Sequence, residues 1–149
     1  MGGGSFIKPE LTDLGRHLDR LLERRSEELA KANMLVNAEA GRTGSLGNSR
    51  LIFVRHDRLR PIFELGLFDA LVILDRFHRE HGYDLDTLIE QAMPKLEKYT
   101  DRAVAHFKPP PSAAAFRHSV SPKVVAQYEA EFRQLAMDGI RACPRSSCC

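Results

Sequence analysis

Apolar side chains recur at intervals of three and four through most of this chain, the period of helices with one buried face. Leu11, Leu14, Leu18, Leu21, Leu22, Leu29, Ala32, Leu35 and Val36 form one stripe in a charged background, continuing to about Ala40. Pro9, Glu10 and Asp13 suit the start of that helix, where a proline needs no donor and acids face the positive end of the dipole. Gly15 lowers helix propensity locally, and Arg25 and Ser26 stand where a further large apolar residue is expected, yet the surrounding period predicts a single long helix. Between Pro61 and His81, Phe63, Leu65, Leu67, Phe68, Leu71, Val72, Ile73, Leu74 and Phe77 spread over more than one helical face, which predicts a central helix needing cover on several sides. Leu85, Leu88, Ile89, Ala92, Met93, Leu96, Tyr99, Ala103, Val104 and Phe107 describe a cleaner amphipathic helix after it. The two are expected to form an antiparallel hairpin around Gly82, with Asp84 or Asp86 accepting backbone donors at the second start. A last stripe, Val124, Val125, Tyr128, Phe132, Leu135, Ala136 and Ile140, follows the start signal Ser121-Pro122. The resulting expectation is an all-α fold, a four- to five-helix bundle with a central antiparallel helix hairpin.

The breakers divide the chain. Gly41 is the expected cap of the first helix and opens a turn-rich loop over residues 41–50, while Leu51 to Val54 show no decisive period and Pro61 predicts a boundary before the central helix. Pro94 removes a donor and crowds the carbonyl of Glu90, so a kink or an interruption is expected there. Pro109, Pro110 and Pro111 read as an extended spacer inside a linker over 108–121. The predicted organisation is a flexible leader over 1–8, one helical domain over 9–142, and a flexible cysteine-containing tail over 143–149.

Composition narrows the class. At 149 residues, 43% hydrophobic and 28% charged, the chain is long enough for one real core and too balanced for wholesale disorder. The net charge of +2 hides a polarised distribution: residues 41–61 carry five arginines against one aspartate, and residues 62–107 carry five basic against nine acidic side chains. Neutralisation of one by the other, within a chain or between subunits, is the simpler use of that contrast. Cys143, Cys148 and Cys149 all lie at the end, so no disulfide framework staples the core, and a reduced, cytoplasmic protein is expected. Cys148 and Cys149 are similar to a geranylgeranylated tail, so lipidation of this pair is the one route to a membrane; Glu64, Asp69 and Asp75 interrupt the longest apolar run too often for a span.

Candidate chemistry is sparse. Asp75, His78 and His81 recur at threes on one helix and would supply half of a zinc or iron site, though one helix cannot close a coordination shell. No serine or cysteine stands in a persuasive nucleophile arrangement. The stretch DALVILDRFHREHGYDLDTLIEQAMPKLEKY, residues 69–99, resembles the second metal-binding helix and following helix of the all-α nucleoside-triphosphate pyrophosphohydrolases, the MazG-like superfamily, over about one fifth of the chain. That resemblance implies a helical oligomer in which clustered carboxylates hold Mg2+ and a nucleotide is split between its α and β phosphates. Carried over by residue, it implies Glu23, Glu27, Glu64 and Asp69 as metal-facing acids, with Glu27 and Asp69 the catalytic candidates. Arg55, Arg58, Arg60 and Lys95 would contact phosphate or another anion. The pattern departs from the family at Gly66, where an acid three residues before Asp69 is expected and Glu64 is displaced by two, and at Arg24, which replaces the middle acid of the first helix.

Three readings follow. The first is a non-enzymatic helical interaction or regulatory protein, without cofactor, that binds an unidentified protein partner and pairs with itself as a homodimer to cover the two-sided central helix. The second is the magnesium-dependent nucleotide pyrophosphohydrolase. The third is anion or nucleic-acid binding through a basic loop containing Arg42, Arg50, Arg55, Arg58 and Arg60; no series of aromatic residues is interleaved there for base stacking, Phe53 standing alone, which argues against nucleic acid.

Overall fold

The computed structural model describes residues 9–44, 50–107 and 122–142. The leader, residues 45–49 of the 41–50 loop, the proline-rich linker and the tail with Cys148 and Cys149 lie outside them. Four helices account for nearly all the rest: α1 (Pro9–Thr43), α2 (Leu51–His81), α3 (Leu85–Ala105) and α4 (Pro122–Ala142). The fold is an all-α helical bundle, as the periodicity predicts. None of the described helices is long and apolar enough to cross a membrane.

Helix ends follow local chemistry. At the α2–α3 turn Gly82 takes φ 75°, which a glycine adopts without steric cost, and its N–H donates to the His78 carbonyl at 2.9 Å. Asp84 then caps α3, accepting from the Thr87 N–H at 3.1 Å and from its hydroxyl at 3.0 Å. Two expected breaks differ. α1 continues past Gly41 to Thr43, whose hydroxyl donates to the Glu39 and Ala40 carbonyls, and the left-handed residue is Gly44. Residues 51–60 are the first turns of α2, which continues through Pro61 without interruption, as α3 continues through Pro94. A proline inside a helix costs about 3 kcal/mol; burial of Ile52 and Leu59 before Pro61 and of Phe63 and Leu67 after it offsets that cost, at about 1.5–3 kcal/mol for each fully buried large side chain.

Side-chain pairings set the directions. Arg25 meets Asp69 and Asn33 meets Arg55, so α1 is antiparallel to α2; Asp19 meets Lys95 and Glu23 meets Arg102, so it is parallel to α3. Glu131 meets His56 and Phe132 stacks on Phe63, which makes α4 parallel to α2. The α2–α3 hairpin therefore has α1 on one side and α4 on the other, and among the described residues α1 and α4 do not touch. The core runs through the hairpin, with Phe63, Tyr99, Phe107 and Phe132 among its largest fully buried side chains.

Candidate functional site

Where α2 and α4 diverge, they leave a groove of about 530 Å3 whose walls are Leu67, Phe68, Leu71 and Val72 from one helix and Leu135, Gly139 and Ala142 from the other. Phe68 remains 63% exposed there. Among the described residues, the charged ones lining the groove are all acids, Glu64, Asp75 and Asp138. Each carries a different local balance. Glu64 receives Arg60 at 3.2 Å, Asp75 receives Arg79 on Oδ2 at 3.0 Å, and Asp138 accepts the neutral amide of Gln134 at 2.8 Å. Asp75 Oδ1 is buried with no hydrogen-bond partner among the described residues. A buried carboxylate oxygen without a donor costs free energy unless something supplies one.

The α4 wall is held by an aromatic slot. Phe132 is fully buried, stacked on Phe63 with centroids 4.6 Å apart and edge-on to Phe107 at 5.2 Å. His56 stacks on Tyr128 at 4.1 Å and its Nε2 lies 2.7 Å from Glu131, which also accepts from Arg60 at 3.1 Å. Arg133 on α4 reaches Asp101 on α3 at 2.9 Å. Burial accounts for most of this docking, because exposed ion pairs contribute only about 0–1 kcal/mol each.

The residues singled out in sequence lie apart from the groove, except Glu64 and Asp75, and they do not assemble into the expected ligand set. Glu23 is paired with Arg102 at 2.8 Å, Glu64 with Arg60, and Asp69 with Arg25 at 2.6 Å, while Glu27 is exposed on α1. Position 66 cannot hold the missing acid. Gly66 is buried where α2 meets α3, and even a Cβ there would collide with the Tyr99 hydroxyl. That hydroxyl donates to the Phe63 and Ile62 carbonyls, its ring stacks on Phe63 at 5.2 Å, and burial raises its pKa well above the ordinary value, so it stays protonated. The Asp75–His78–His81 trio is likewise divided. His78 Nδ1–H donates to the Tyr83 carbonyl, His81 lies over Phe77 and reaches Glu10 at 3.3 Å, and Asp75 turns to Arg79. Among the described residues no group of three or more His, Cys, Asp or Glu side chains is placed to hold a metal ion.

The four anion candidates also separate. Lys95 is spent on Asp19 at 2.7 Å, Arg60 bridges Glu64 and Glu131, and Arg58 borders a small cleft with Glu39 and Arg50. Only Arg55 keeps a different company, two asparagines on α1. Sequence reasoning missed Asp138, Asn33 and Asn37; an acid amid the apolar stripe of the last helix, and two asparagines four apart on the first, were the available signals. Comparison with protein-family models, curated proteins and solved structures found no match for this chain.

Proposed function

We propose that this protein is a non-enzymatic helical interaction protein that receives a basic amphipathic helix of a partner protein in the α2–α4 groove. The observation that carries this reading is the pairing of an apolar floor with a rim whose charged members among the described residues are all acidic, Glu64, Asp75 and Asp138. A helix docking in such a groove inserts apolar residues at i, i+3 or i+4, and i+7, and a flanking lysine or arginine then reaches the rim. A partner with acidic flanks would meet like charge and be rejected. Exposure of Phe68 in the floor gives the partner an aromatic anchor of the kind that dominates binding energy.

The test is fluorescence anisotropy with a labelled four-turn helical peptide presenting leucines on one face and lysines at its flanks. Saturable binding weakened at least about tenfold by Phe68→Ser, and again by Asp138→Lys, is the expected result. No saturable binding, or equal binding of a peptide with glutamates at the flanks, rejects the reading. Sedimentation of the protein alone distinguishes the other occupant: a stable dimer disrupted by Phe68→Ser would give the groove to a second copy and overturn the partner proposed.

A further inference from the structure

Among the arginines of the helix interfaces, Arg55 is the exception in its choice of partner. Arg25, Arg60, Arg102 and Arg133 each reach a carboxylate of a neighbouring helix at 2.6–3.1 Å. Arg55 reaches none among the described residues. Its Nε–H donates to Asn33 Oδ1 at 2.7 Å and an Nη2–H donates to Asn37 Oδ1 at 2.7 Å. Asn33 and Asn37 stand one turn apart on α1, so the two amide oxygens meet the side edge of the planar guanidinium together. That use fixes the plane of the group while leaving its charge unneutralised. It also leaves the end edge, with one N–H on each Nη, unoccupied by these bonds.

The neighbourhood sets the charge of a suitable ligand. The bond to Asn37 lies at the exposed end of the guanidinium, whereas the bond to Asn33 is partly buried. His106, the residue that ends α3, is close enough to feel the arginine, and burial together with that charge lowers its pKa and favours the neutral imidazole. Desolvation also lowers the pKa of Arg55 itself, the signature of a cation without a counter-charge. A neutral histidine leaves one formal positive charge, and the C-terminal end of α3 adds the negative pole of a helix dipole, which disfavours a dianion.

We infer that Arg55, held by Asn33 and Asn37 beside His106, is a receptor for a single carboxylate that accepts two parallel hydrogen bonds from the free end edge. The carboxylate comes either from a small organic acid or from an acidic side chain of a peptide, and the two sources share this chemistry. The site lies between α1, α2 and the end of α3, and involves none of the residues lining the α2–α4 groove.

The test follows the Arg55 Nε–H and the His106 ring resonances of the isotope-labelled whole protein during titration with sodium acetate, with sodium chloride holding ionic strength constant. A saturable shift at both, with half-saturation on the order of tens of millimolar, is expected for one bidentate charged contact. Acetyl-glutamate-amide serves as the second arm. Tighter binding than acetate assigns the contact to a peptide, and tighter binding of acetate assigns it to a small acid; either supports the receptor. In Arg55→Gln the His106 shift should become linear, and in Asn37→Ala affinity should fall about fivefold, the loss of one hydrogen bond that orients the fork. Shifts in the wild-type protein that are linear and matched by chloride overturn the proposal. So does phosphate binding tenfold tighter than acetate at the same pH, which would assign a different anion.

Discussion

Helix α2 is treated in opposite ways by its two flanking neighbours. Toward α1 it places polar groups that are almost all used: Asp69 takes Arg25, which also holds Glu28 at 2.8 Å, and Arg55 takes two asparagines. Toward α4 it places rings, with Phe63 and His56 gripping Phe132 and Tyr128, and then beyond them an apolar strip that no described residue covers. The first seam specifies alignment, because an ion pair and an Arg–Asn fork are satisfied in only one register. The second supplies adhesion. Charges taken from water gain little net free energy even when well paired, whereas a buried phenylalanine stabilises through both transfer and packing.

Breaking the adhesive seam should have the largest effect. Phe132→Ala removes a fully buried ring between Phe63 and Phe107, and should lower unfolding free energy by about 3–5 kcal/mol in urea titrations. Retention of full stability would mean that α4 is not docked through this slot. Gly66→Ala comes next. Glycine-to-alanine inside a helix ordinarily stabilises by about 0.5–1 kcal/mol, but here the new methyl group must displace Tyr99, and a net loss of about 1–3 kcal/mol is expected. A gain in melting temperature would show that Tyr99 can step aside.

The aligning seam should respond more mildly. Asp69→Asn, which leaves the partly exposed Arg25 facing a weaker acceptor, should cost about 1–2 kcal/mol. Joint replacement by Arg25→Met and Asp69→Leu should recover most of that loss, and a double-mutant cycle showing no coupling between the two positions would sharpen the contrast in the other direction. The smallest effect is electrostatic. His106 should titrate below its ordinary value of about 6.5, and Arg55→Gln should move its midpoint upward, as followed by the ring C–H shifts. Since the folded state then binds its proton later than the unfolded state, the contribution of His106 to stability is intact above the unfolded midpoint. It is lost as pH falls through the folded one.

These two seams were unequally legible. The apolar period gave four helices and the hairpin, and the local signals at Gly82, Asp84 and Pro122 are where the structure uses them. Pro61 misled, because a local rule about proline was outweighed by burial on both sides of it. Arg25 looked like a gap in a stripe; only the partner helix shows that an arginine stem is packed there with its charge turned to Asp69. Gly66 shows the same limit more sharply. Its meaning depends on a tyrosine 33 positions later in the chain, and no window of sequence contains both. The groove was half visible: Leu67 and Phe68 belonged to a helix with too many apolar faces, but Asp75 and Asp138 could be recognised as a rim only after α4 was placed beside α2.

The absence of contact between α1 and α4 also has a consequence for the order of assembly. As the chain emerges during synthesis, α1, α2 and α3 are available to one another before α4 exists, and their mutual seam is the one rich in register-specific polar pairs. A correctly aligned three-helix intermediate would then present Phe63 and Phe107 as an open aromatic slot until Phe132 closes it. During that interval the nascent protein carries its stickiest surface outward, so the length of chain between α3 and α4 sets how long it needs protection.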